Sequence, residues 1–138
     1  MSAENTAVVR RLIDEVWNQR ALDVLDDLFA ADALIHDSGV PRPTRGPMCA
    51  KEDIGAACAA FPDIRINIDD IFAADDKVVV RWSSHGTHRG EMQGIPPTNR
   101  PMTMTGIAIY LFAGGKIVEE WMNNDTLGML RQLGVIPG

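Results

Sequence analysis

A chain of 138 residues that is 46% hydrophobic and 23% charged has the make-up of an ordinary globular domain, long enough to bury roughly 70% of its unfolded surface around one core. Thirteen Lys and Arg against nineteen Asp and Glu leave a net charge of −6. That balance argues against nucleic acid or an anionic membrane as partner, since such binding neutralises phosphates with basic side chains. No apolar run approaches the ~20 residues needed to span a bilayer, and Met1–Thr6 lacks the basic-then-apolar pattern of a signal peptide. A cytoplasmic setting is expected.

Residues 6–18 place Val9, Leu12, Ile13, Val16 and Trp17 at helical spacing, with Arg10, Arg11, Asp14 and Glu15 opposite, which predicts an amphipathic helix. A shorter helix follows, with Leu22, Leu25, Leu28 and Phe29 inward. Residues 33–37 read as a short strand and 38–47 as a Pro/Gly-rich loop. Pro47 suits the first turn of a third helix, which runs to Phe61 and stops at Pro62. Cys49 and Cys58 lie nine residues apart in that helix, about two and a half turns, so they point to opposite sides and are read as free thiols. No Cys/His spacing of a metal site occurs.

Beyond Pro62 the period changes to two. Ile64, Ile66 and Ile68 alternate with polar residues, Asp75-Asp76 reads as a turn, and Val78, Val80 and Trp82 share one face of the next strand. If the alternation persists His88 shares that face, and His85 the opposite one; a bulge at Gly86 would reverse them. Residues 90–101 form a loop. Residues 102–112 are apolar on both faces, so one face is expected to meet helices and the other a second copy of the chain or a chain end. Gly114-Gly115 between apolar runs is a hairpin signal. If residues 117–125 form one unbroken strand, Glu119, Trp121, Asn123 and Asp125 share a side. Residues 126–133 can form a last helical turn.

Helices first and antiparallel strands afterwards predict an α+β fold: a curved, mostly antiparallel sheet wrapped as a cone-shaped barrel around three N-terminal helices. A pocket between sheet and helices would suit a small hydrophobic ligand. Trp17, Trp82, Trp121 and Asn123 are the expected wall. Asp125, beside the indole of Trp121, is the expected acid/base, with His36 and His88 as polar partners. Asp125 before Thr-Leu-Gly is equally a good helix N-cap.

The segments G-T-H-R-G at 86–90, G-I-P-P-T-N-R at 94–100, G-K-I-V-E-E-W at 115–121 and D-T-L-G-M-L-R-Q-L-G at 125–134 resemble the SnoaL-like polyketide cyclases, within the superfamily named for nuclear transport factor two. L-F-A-A-D-A-L-I-H-D at 28–37 fits as well. The resemblance implies the cone fold and a cofactor- and metal-free intramolecular aldol closure, with the family's aspartate at Asp125. A histidine that some members carry before the G-K-I turn falls here on Ala108. The 29–46 segment is also similar in spacing to ketosteroid isomerases, whose base would fall on Asp37. Their oxyanion tyrosine falls on Ile13, and the only tyrosine is Tyr110. A non-catalytic ligand-binding domain is the remaining alternative, because the superfamily includes pure binders.

Overall fold

The computed structural model describes residues 2–137. The first amphipathic segment begins as α1 (Ser2–Arg11) and continues in a wider π-helical run, Leu12–Asn18. Val9, Leu12, Ile13 and Val16 are buried, as their spacing predicts. A single 3₁₀ turn (Leu22–Val24) leads to α2 (Leu25–Leu28), then β1 (Phe29–Asp37), β2 (Thr44–Arg45) and α3 (Gly46–Ala60). The remaining elements are β3 (Arg65–Ala74), β4 (Lys77–Thr87), β5 (Pro101–Ala113), β6 (Lys116–Asn124) and α4 (Thr126–Gln132).

The six strands form one sheet in the order β2-β1-β6-β5-β4-β3. Every pairing is antiparallel except β1 with β6, which is parallel. The curved α+β cone is therefore present, with one difference from a barrel: β2 and β3 are free edges, so the sheet stays open. Near the start of β3 the edge is covered from the helical side. The Asn18 amide accepts from Ile66 N at 2.8 Å and donates to Ile66 O at 3.0 Å, satisfying both main-chain groups of one edge residue.

Two local features set which side chains face inward. Gly114 (φ 60°) and Gly115 (φ 80°) both take positive φ, the geometry of a two-residue turn whose twist matches the flanking strands. Just beyond it the ladder slips. Phe112 pairs with Ile117, whereas Leu111 pairs with Glu119, leaving Val118 as an extra residue, a β-bulge. Ile117 is fully buried, but the next inward residue is Glu120 rather than Glu119. Because strand side chains alternate with period two, one inserted residue exchanges the faces of everything after it.

The main core packs α1, the π-helical run, α2 and α3 against the sheet through Val9, Val16, Leu25, Leu28, Ile54, Val78, Val80 and Ile117. A second apolar group, Phe61, Ile64, Met102, Met129 and Leu133, seats α4 against the end of α3. Trp17, Cys58 and Met104 touch both groups.

Candidate functional site

Between the two apolar groups lies a cavity of about 400 Å³, a volume that suits a small ligand. Helical residues Ile13, Trp17, Ile54 and Ala57 form one wall, and Ile66, Trp82, Met104 and Met122 of the sheet form another. Glu91, Met92 and Ile95 of the loop after β4 and Met129 and Leu130 of α4 complete it. Its polar groups are Asp37, Asp53, Ser84, Tyr110, Glu120 and Asn124, besides Glu91, Gln93 and Thr126. Among the described residues no Lys, Arg or His lines it.

Asp37 ends β1 on the same face as the buried Ala33 and Ile35. Its Oδ1 accepts from Gly39 N at 2.8 Å and from Asn124 Nδ2 at 3.3 Å. The ends of β1 and β6 are tied further by Ser38 N donating to Met122 O at 2.9 Å and Asn124 N to Ser38 Oγ at 3.1 Å. Because a carboxylate only accepts, the contact with Asp37 fixes which way the Asn124 amide points.

Glu120 sits in mid-strand, opposite Tyr110 of β5, and is 6% exposed. Burial raises its carboxyl from 4.5 to about 8, the charges of Asp37 and Asp53 add to the rise, and no hydrogen bond offsets it. At neutral pH this side chain is a protonated acid. Burial, and then Glu120, push the Tyr110 hydroxyl well above its ordinary value, so it remains a donor. Asp53 lies on the exposed rim of α3, where partial burial, Asp37 and Glu52 raise its carboxyl. Among the described residues no group of three or more His, Cys, Asp or Glu is placed to hold a metal ion.

One row of the inner sheet face is Ile68–Trp82–Gly106–Asn124 in cross-strand register. A Cβ on Gly106 would overlap the indole of Trp82; the missing side chain is what lets that ring lie across β5. Trp82 Nε1 and Asn124 Oδ1 are both buried without a partner. Each unmade bond of this kind costs about 1–3 kcal/mol.

The residues expected from the sequence divide between inside and outside. Trp17, Trp82 and Asp37 line the cavity. Asp125, expected to look into it, is instead exposed and caps α4, its Oδ1 accepting from Gly128 N at 3.0 Å. The bulge at Val118 is the reason, and it turns Trp121 and Asn123 outward with it. On that outer face His36 stacks on Trp121 (centroids 5.6 Å apart, planes within 7°), and its Nε2 meets Glu119 Oε2 at 2.7 Å. There is no bulge at Gly86: β4 and β5 stay in register to Thr87, so His88 faces inward and His85 is exposed. His88 nevertheless stays outside the cavity wall, packed on Phe61, with Nδ1 accepting from Thr98 N at 3.2 Å and Nε2 unpartnered. Glu120, Tyr110, Asn124 and Asp53 were missed. Nothing in the letters around Val118 marks the bulge that turns Glu120 and Asn124 inward, although the lone tyrosine on an apolar strand was a visible cue.

The fold and site together define a curved α+β cone with an apolar cavity and a buried acid. The family model for SnoaL-like polyketide cyclases matches residues 7–133, and the chain belongs to that family. It is 33% identical to IdmH of Streptomyces antibioticus, assigned as a polyketide cyclase, over 94% of this chain and 98% of that one, with a TM-score of 0.81. A protein of Acidithiobacillus ferrooxidans with the same assignment is 29% identical, covering 96% of this chain and 95% of that one, TM-score 0.83. A SnoaL-like protein of Jannaschia, 20% identical, shares the fold at a TM-score of 0.90 over 99% of this chain and 95% of that one. No curated protein matches the chain.

Proposed function

We propose that the chain is a cofactor-independent enzyme of the polyketide cyclase type, moving protons on a hydrophobic carbonyl compound held in the cavity. The observation that carries this reading is Glu120: a carboxyl buried in an apolar chamber, raised to about 8 and unpaired, beside the oriented carboxyl of Asp37. In an aldol closure Asp37, as carboxylate, removes the proton α to one carbonyl. The new carbon–carbon bond forms at a second carbonyl, and Glu120 gives its proton to the alkoxide oxygen. Tyr110 donates a hydrogen bond to the developing charge. Proton return from Asp37 to Glu120 resets the pair, and the walls supply orientation.

The test is turnover of aromatic polyketide carbonyl substrates. Asp37→Asn and Glu120→Gln are expected to lose at least about a hundredfold in rate while still binding ligand, and Asp125→Asn to keep its rate. Loss in Asp125→Asn alone overturns the assignment. Tight binding without turnover, indifferent to all three changes, identifies a binder.

Isomerase-type proton transfer by Asp37 is the second reading. Asp37 in the wall and the neutral Tyr110 hydroxyl favour it, and a shifted double bond in place of a new ring would identify it. A second copy of the chain is proposed on the outer sheet face, where half-buried Ile109, Leu111 and Trp121 flank Ile107, 49% exposed. No described helix is long and apolar enough to cross a membrane; a cytoplasmic site of action is part of this proposal.

A further inference from the structure

The unpartnered donor and acceptor belong to two residues of the cavity wall, on β4 and β6, the strands that flank β5 in one row. Trp82 Nε1 is an obligatory donor, and Asn124 Oδ1 is the acceptor end of an amide whose other end is committed to Asp37. Only Gly106 separates them in the sheet register, and the indole already occupies the space above Gly106. The two atoms have opposite demands, so no second protein donor or acceptor alone would satisfy both. One ligand atom that accepts and donates together does so. A hydroxyl oxygen meets that description; a ketone or ether oxygen accepts only, and an ammonium donates only.

We propose that Trp82 and Asn124 form a subsite for an uncharged hydroxyl, phenolic or enolic, on the ligand: its oxygen accepts from the indole N–H and its proton is donated to the Asn124 amide oxygen. The inference rests on the cavity being the ligand site and adds a substrate class, a hydrophobic ring system bearing a hydroxyl at the end near Asp37. It is independent of which carboxyl moves protons. Glycine at 106 becomes a specificity position, because any side chain there would push the indole off the row.

The experiment is calorimetric binding of 2-naphthol, 2-methoxynaphthalene and naphthalene to the intact chain. The expected order is naphthol tightest, about tenfold or more over naphthalene, with the ether between them because it accepts but cannot donate. Asn124→Leu should bind naphthol and the ether alike, and Trp82→Phe should bring the ether down to naphthalene while naphthol keeps the advantage of its bond to Asn124. A second reading needs no variant to fold: of the three indole N–H resonances, one should move downfield with naphthol and stay with naphthalene. Equal affinity of naphthol and naphthalene for the unaltered chain overturns the subsite while leaving the cavity as a ligand site. Failure of all three to bind removes the cavity reading, and the subsite with it.

Discussion

Replacing Glu120 by Gln gives a test that needs no substrate. The carboxyl titrates at about 8 in the folded chain against 4.5 for the ordinary group, so the folded state holds this proton more tightly than the unfolded state. For an acid shifted this way stability is full below about 4.5, falls as pH rises, and levels off above about 8. The difference of about 3.5 corresponds to ~5 kcal/mol at the alkaline limit, and to ~4 kcal/mol between pH 5 and pH 9. Gln mimics the neutral acid and carries no proton to lose. Urea unfolding of both proteins at pH 5, 6, 7, 8 and 9 should therefore give nearly equal stabilities at pH 5, with the variant ahead by several kcal/mol at pH 9. Carboxyls common to both proteins largely cancel in the difference. Parallel stability curves would show that Glu120 is solvated or already ionised, and would remove the buried acid on which the proposed chemistry depends.

Asp125→Ala should lower stability by about 1 kcal/mol through loss of the α4 cap and leave affinity for 2-naphthol within twofold, as measured by unfolding and calorimetry; a tenfold loss of affinity would bring that carboxyl back to the ligand. Ile107→Lys should convert a dimer into a monomer in light scattering while leaving the circular dichroism unchanged, and an unaltered mass would place any contact elsewhere.

The order and type of elements were legible because hydrophobic period is a direct record of burial: 3.6 through Val9, Leu12, Ile13 and Val16, two through Val78, Val80 and Trp82. The first half of β1 was not, since Ala30, Ala31 and Asp32 carry no alternation and fall where its pairing with β6 is interrupted, between Phe29 opposite Ile117 and Leu34 opposite Glu119. The open sheet edge was equally hidden, being a property of pairing and not of any segment. At the site, Trp17 and Trp82 could be read from facing, and Asp37 from the isomerase-like spacing of residues 29–46. Glu120 could not: a regular strand from Ile117 hides it and presents Glu119, and Val118 is as ordinary a strand residue as the sequence contains. Asp125 shows the converse limit, in that its capping role and its imagined chemistry fit the same letters equally well.

The Asn18 amide that grips Ile66 has a consequence for solubility. An open sheet invites another molecule to extend it, and the two main-chain groups that a visiting strand would need at this position are already taken from within. Farther along, Asp70 puts negative charge on the same exposed margin, so on the β3 side a sheet left unclosed still gives strangers less to zip on.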